Sequence, residues 1–338
     1  MTFRVEPAAS EPAEQAYSEL GSTALELGGT NAIGRMLGLL GDEWTLLILQ
    51  RALLGTVRYR QFLTELPISN AVLTNRLSLL TREGLLERHI YQPHPPRSEY
   101  RTTLRSRSLW PIMLAIWAWE ITWVPDQAEA LPRMQHATCG QDFRPQLCCA
   151  ACEKSVTTRE IHAEWGPSGG WARSVPQAST RRRGDNDANL HRSGMFAETM
   201  AILGNRWSCA LLGAAFRRLT RFSDFEKALS APPTIVADRL REFVSIGILM
   251  PVHQDAGSSR VEYHLTDKGR AFFPVLANVI HWAERWYVAP EGLALAQQHL
   301  SCQKRFAPVL RCDQCTEILT GAAVRIIAVD PASTSANP

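Results

Sequence analysis

The sequence predicts a mainly α chain with small β hairpins, of the α+β class, in which one structural unit is written twice in tandem. Three observations predict this. Positions repeat without a gap at an offset of 163 residues: Gly41 and Trp44 answer to Gly204 and Trp207, Phe62 to Phe225, Arg76 and Leu77 to Arg239 and Leu240, Gly84 to Gly247, Glu99 and Tyr100 to Glu262 and Tyr263. Thr103, Pro111, Trp119 and Trp123 likewise match Thr266, Pro274, Trp282 and Trp286. Within each copy, apolar residues recur at helical spacing and then give way to short extended runs. Each copy ends in the same run of His and Cys: His136, Cys139, Cys149 and Cys152, then His299, Cys302, Cys312 and Cys315. A unit of roughly 125 residues can build its own core, so the repeat reads as duplicated domains and not as a solenoid.

Composition bounds the rest. The chain has 338 residues, 45% of them hydrophobic, enough for two or three globular domains. No run of apolar residues is long enough to span a bilayer, and the opening MTFRVEPAASEPAEQ lacks a basic and then apolar leader. A cytoplasmic location, with no membrane partner, is therefore expected. In that reducing compartment clustered cysteines point to metal or redox chemistry before disulfides. A net charge of +3 permits nucleic acid as a partner without demanding it.

In the first copy, WTLLILQRALLG has helical spacing and stops at Gly55, and YRQFLTEL reads as a short second helix. Next, Ser69 or Asn70 can cap a helix in PISNAVLTNRLSLLTREG whose Val72, Leu73, Leu77, Leu79 and Leu80 face inward and which ends at Gly84. Its opposite face shows Asn70, Thr74, Asn75 and Ser78, short donors and acceptors where a merely solvated face usually carries Lys and Glu. LLERHIYQ, PHPPRS and EYRTTL then read as strand, turn and strand. Three helices followed by a hairpin form a winged helix-turn-helix. The polar helix is expected in the major groove of double-stranded DNA, with Ser69, Asn70, Thr74, Asn75 and Arg76 as its contacts. Arg97 at the hairpin tip, with Arg101, Arg105 and Arg107 behind it, makes a basic stripe suited to phosphate. A solvated hairpin that binds nothing is the alternative, and Arg76 could instead pack along its own domain.

The second copy departs from the first. Its SAPPTIVADRL starts with Pro232 and Pro233 and has Asp238 where the first copy has Asn75, while Thr234, Arg239 and Arg260 remain as candidate contacts. A carboxylate near phosphates is unfavourable unless it accepts from a cytosine amino group, so the first copy is expected to contribute more of the affinity. Trp119 and Trp123, like Trp282 and Trp286, are spaced four apart on a helix, as packing anchors or as the wall of a small-molecule effector pocket.

The HxxC and CxxC pairs, nine residues apart in each copy, offer four soft ligands from two turns. Within each copy they are expected to form one closed zinc site on a zinc-ribbon-like knuckle, giving two structural Zn2+ ions. Redox thiols are the alternative, with Cys148 as the best candidate. The zinc-deaminase signature requires Glu two residues after the His, where Thr138 and Ser301 stand, so an enzyme is not expected. VTTREIHAEW and AAVRIIAVD alternate enough to complete each ribbon as strands, and Cys209 reads as an ordinary buried side chain. These readings divide the chain into a flexible tail (1–25), a winged domain (26–128), a ribbon (129–165), a linker (166–190) carrying Arg181, Arg182 and Arg183, a second winged domain (191–291), a second ribbon (292–330) and a tail (331–338).

GDEWTLLIL, RYRQFLTEL, LTNRLSLLTREGLLER, SEYRTT and LWPIMLAIWAWE resemble the HxlR family of bacterial winged-helix transcription regulators. GNRWSCALL, RFSDFEKAL, VADRLREFVSIGIL and VEYHLTDKGRAFFPVLANVIHWAERW resemble it again. The resemblance implies a DNA-binding homodimer held by helices flanking each winged core. With two cores in one chain, the expectation is a covalent pseudo-dimer on two half-sites. A further dimerisation, giving four cores, is the alternative arrangement; an interaction adaptor that kept the fold but lost DNA is the alternative function.

Overall fold

The computed structural model describes residues 21–94, 97–125, 131–175, 196–253 and 260–327. The basic triplet at 181–183 and most of both tails fall outside these residues.

Side-chain caps start most helices of the first copy. Asn31 Oδ1 accepts from the Gly34 amide ahead of α1 (Ala32–Leu40), and Asp42 accepts from the Thr45 amide ahead of α2 (Glu43–Leu53). After α3 (Tyr59–Glu65), Ser69 caps α4 (Asn70–Arg82), which ends as Gly84 turns the chain at φ +68°. Leu73, Leu77 and Leu80 are buried, while Val72 and Leu79 are half-covered at the edge of the core. Strands β2 (Leu86–Gln92) and β3 (Arg97–Thr102) form the antiparallel wing. Thr103 caps the short α5 (Leu104–Arg107), and α6 (Trp110–Trp123) follows with Pro111 in its first turn.

The second copy repeats this order. α8 (Ala197–Leu203), α9 (Arg206–Phe216), α10 (Phe222–Leu229) and α11 (Pro233–Ser245) precede β7 (Leu249–His253) and β8 (Val261–Leu265), then α12 (Asp267–Arg270) and α13 (Phe273–Trp286). Between the copies lies α7 (Trp171–Ser174). Val236, Leu240 and Phe243 of α11 are buried at the offset positions of Leu73, Leu77 and Leu80.

The two copies share one continuous apolar core. α13 packs on both α1 and α6, and α8 on α6. Trp119 Nε1 donates to the Lys268 carbonyl at 3.1 Å, and its ring meets Phe272 edge-on at 5.0 Å. Reciprocally, Trp282 Nε1 donates to the Arg105 carbonyl (3.2 Å) and to Ser108 Oγ (3.0 Å), which Trp286 Nε1 also reaches at 2.8 Å. Trp119, Trp282 and Trp286 are thus anchors between the halves. Asp42 and Asn205, one offset apart, bridge each other in antiparallel fashion, which marks a pseudo-two-fold axis. Beside them the chains cross so closely that a Cβ on Gly204 would lie 3.3 Å from Glu43 Cβ.

One lock exists on one side only. Glu120 Oε1 accepts from the Thr199 amide (3.0 Å) and hydroxyl (2.6 Å), whereas the offset positions hold Ala283 and Met36. Burial raises the Glu120 pKa, and the Thr199 hydrogen bonds oppose that rise.

Two expectations need correction. Arg105 is not part of a basic stripe behind the wing. Its guanidinium is buried 4.4 Å from the Tyr287 ring centre and donates to Thr23 Oγ1 and the Glu83 carbonyl. The aromatic ring that covers it comes from the other copy, which is why local sequence placed it at the surface. The stretch 166–175, expected to be linker, is packed: Gly166 N donates to the Ala294 carbonyl, Ser168 Oγ to the Gly292 carbonyl, and Asn31 Nδ2 to Ser174 Oγ. At the other end, β1 (Thr23–Ala24), within the expected tail, pairs in parallel with β9 (Tyr287–Val288). Among the described residues no helix is long and apolar enough to cross a membrane.

Candidate nucleic-acid interface and metal centres

On α4, Asn70, Ala71, Thr74, Asn75 and Ser78 are exposed and share one face, opposite the buried leucines. Tyr59 Oη, on α3, donates to the Asn70 carbonyl at 3.0 Å and sits 3.1 Å from both Asn70 Oδ1 and Thr74 Oγ1. Sequence reading missed this tyrosine, which fixes the orientation of two candidate contacts. Arg76 points the other way: Nε donates to Asp42 Oδ1 (2.7 Å) and Nη2 to Asp42 Oδ2 (2.8 Å). This two-pronged pair ties α4 to the start of α2, on the acid that caps α2.

On the wing, Arg97 is exposed at the start of β3. Arg101 and Arg58 both pair with Glu99, at 3.2 Å each, and Arg101 is the largest single influence lowering the Glu99 pKa. In the second copy Thr234 is exposed, Arg239 pairs with Glu242 on its own helix, and Asp238 pairs with Arg241 at 2.6 Å. Arg260 is exposed at the start of the second wing's returning strand. Phe222 replaces Tyr59 and Ala237 replaces Thr74, so the hydroxyl network has no counterpart. The two faces thus differ in geometry as well as in charge.

The His/Cys groups form two tight clusters, but each draws on both copies. His136 and Cys139 meet Cys312 and Cys315; Cys149 and Cys152 meet His299 and Cys302. The pairing expected within a copy is corrected by strand exchange. β4 (Arg133–His136) pairs with β12 (Val324–Ile327), β5 (Pro145–Cys149) with β11 (Pro308–Cys312), and β6 (Ile161–Trp165) with β10 (Leu295–His299), all antiparallel. The central register joins Leu147 to Leu310, its own counterpart, so the axis passes through this pair. Each CxxC turn is thereby carried to the HxxC turn of the other copy.

The donor geometry fits a tetrahedral ion. Bonds of roughly 2.3 Å to sulfur and 2.0 Å to nitrogen separate ligand atoms by about 3.5 Å. Here His136 Nδ1 lies 3.6 Å from Cys139 Sγ and 3.2 Å from Cys315 Sγ, and Cys139 Sγ lies 4.0 Å from Cys312 Sγ. His299 Nδ1 lies 3.3 Å from both Cys152 Sγ and Cys302 Sγ. Backbone amides at Gln141 and Lys304 favour the thiolates of Cys139 and Cys302, holding their pKa values down. Burial pushes the Cys312 thiol up to about 11, the cost that a bound cation would remove. Cys148 lies buried in β5, and burial also pushes its thiol up, which leaves it a poor nucleophile. Cys209 is buried too, its thiol pushed up to about 12.

An HTH-type transcriptional regulator of Mycobacterium tuberculosis, itself uncharacterised, is 35% identical over 136 residues, or 40% of this chain and 86% of that protein. One from Bacillus subtilis, also uncharacterised, is 32% identical over 92 residues, 27% of this chain and 85% of its own. The solved structure of a candidate transcription factor from Pseudomonas aeruginosa is 28% identical, covering 42% of this chain and 97% of that one, with a TM-score of 0.32. The names of the two curated relatives indicate regulators and not enzymes. Residues 39–128 and 202–291, more than half of the chain, match the HxlR-like helix-turn-helix family, and the chain belongs to that family with its module present twice.

Proposed function

We propose that the chain is a cytoplasmic, sequence-specific DNA-binding transcription regulator whose two winged units act as a covalent pseudo-dimer on two half-sites. One observation carries this reading: the exposed Asn70–Thr74–Asn75 face of α4, braced by Tyr59, in a family of helix-turn-helix regulators. Asparagine suits bidentate contact with adenine, and threonine suits either a base edge or a thymine methyl. Ser69, exposed at the helix start, and Arg97 on the wing would meet phosphate, with Arg101 beside it. Arg76 acts through Asp42, holding α4 at its angle to α2.

The second unit contributes less. Thr234, Arg239 and Arg260 offer fewer donors, and Asp238 repels phosphate, so the two half-sites differ in sequence. The shared core and the crossed ribbons support the pseudo-dimer, since each half depends on the other for burial. The domain divisions read from sequence stand in this proposal, with the packed stretch 166–175 joined to the ribbons.

Zinc is the ion that best suits two donor sets of one imidazole and three thiolates each. His136, Cys139, Cys312 and Cys315 would hold one, and Cys149, Cys152, His299 and Cys302 the other. When bound, each ion supplies a closed four-ligand cross-link between the copies and no open position for substrate.

Selection of genomic fragments by the purified protein, followed by binding over a salt series, tests the DNA reading. Specific binding that weakens steeply with salt is expected. Asn75→Ala should weaken binding by about 1–3 kcal/mol at one base position, and Thr234→Ala by less. No binding even at low salt would refute the reading and favour an interaction adaptor. Equal losses from the two variants would refute the asymmetry.

A further inference from the structure

Where α1, α9, α13 and the β6–β10 pair meet, the two copies line a partly open cavity of about 130 Å³. Ile33 and Met36 of the first copy and Val279 and Ile280 of the second line it, together with the rings of Trp165, Trp171, Phe216 and Phe273. The pseudo-two-fold generates a second such place, between α2, α6 and α8. There the described residues leave a void of about 10 Å³.

The difference resides in a few side chains. Every residue lining the small void has its offset counterpart in the wall of the large one. On the filled side stand Gln50, Phe196, Leu46 and Leu47; on the open side stand Gly213, Ile33, Cys209 and Ala210. Each substitution removes volume from the same side. A Cβ added at Gly213 would meet nothing within 4 Å, although the residue sits inside helix α9. A glycine within a helix and an unfilled cavity both cost stability, so their coincidence needs a reason.

The wall also holds one charge. The Arg217 guanidinium lies 4.5 Å from the Trp165 ring centre, and Nη1 donates to the Ala163 carbonyl at 3.3 Å. Among the described residues no carboxylate meets it, and burial lowers its pKa. Its offset counterpart is Leu54, so the charge belongs to the open side alone. A cavity of about 150 Å³ with Leu, Ile and Phe walls stays dry and accepts benzene, so the space here suits a single six-membered ring. A half-buried guanidinium is matched best by a carboxylate.

We propose that this cavity is a binding site for a monocyclic aromatic carboxylate, its ring among the four aromatic side chains and its carboxylate on Arg217. The ligand would touch both copies and a ribbon strand at once, and so would bear on how the winged units are held. The site does not depend on the DNA reading, because occupancy is measured directly.

Benzoate is the probe, titrated into the full chain by calorimetry and by intrinsic tryptophan fluorescence, with Trp165 and Trp171 in the cavity wall. One-to-one saturation is expected. Gly213→Leu fills the space and should weaken benzoate binding at least roughly tenfold while unchanged circular dichroism reports an intact fold, with Gly213→Ala as the milder variant should leucine impair folding. Arg217→Gln should weaken benzoate about tenfold yet leave toluene within about twofold, since toluene lacks the acid. Absence of saturation up to about 10 mM benzoate, undiminished binding in both Gly213 variants, or equal losses of benzoate and toluene in Arg217→Gln would overturn the proposal.

Discussion

Trp282→Ala probes how far each half depends on the other. The indole is 3% exposed and sits on α13, yet both acceptors of its Nε1 belong to the first copy. Truncating a buried tryptophan costs about 3–5 kcal/mol in transfer and cavity terms. The Arg105 guanidinium, 5.7 Å from the indole, loses one of its covering rings as well. We expect a loss of about 4 kcal/mol in guanidinium unfolding of the protein prepared with zinc present. Trp282→Phe keeps most of the apolar area but forfeits the hydrogen bonds, for a loss of about 1–2 kcal/mol. Hydrogen exchange should quicken in α6 and α13 together, because the contact spans the halves. A loss under about 1 kcal/mol for alanine, or faster exchange confined to α13, would refute the shared core.

Two further predictions concern the same junction. Glu120 has a folded-state pKa above its ordinary value of 4.5, so the folded state keeps a proton that the unfolded state has released. Its contribution to stability therefore falls as pH rises from 4.5 toward the raised value, and Glu120→Gln, which retains an acceptor for Thr199, should flatten that decline. Denaturation profiles of the two proteins that overlay across this range would refute it. Gly41→Ala would bring a Cβ within 2.3 Å of the Leu37 carbonyl, beside the crossing at Arg206, and should cost about 1–3 kcal/mol in thermal or denaturant unfolding. An unchanged midpoint would show that the turn after α1 yields more readily than described.

Much of this architecture was legible in the residues. The offset of 163 exposed the duplication, and apolar spacing located α2, α4 and the wing, because these depend on contacts local in the chain. The eight candidate ligands were equally plain. Their partnership was not: spacing says which side chains can bind an ion, but the choice between a copy's own CxxC and its twin's depends on strand pairing across the axis. Arg105 was misread for a related reason, since Tyr287, which covers it, lies far along the chain. Arg76 carried both readings, and the cap residue Asp42 claims its guanidinium. The open cavity could have been suspected from Gly213 standing where Gln50 stands, but only after the copies were known to pack about an axis.

The proposed crossed metal centres are tested most directly by counting zinc in two double variants of the purified chain. His136→Ala with Cys312→Ser damages one cluster twice and should leave one ion per chain, held by Cys149, Cys152, His299 and Cys302. His136→Ala with Cys149→Ser damages both clusters and should leave none, or only weakly held metal that a mild chelator removes. The opposite result, no ion in the first variant and one in the second, would mean that each copy closes its own site and would contradict the exchanged ribbons.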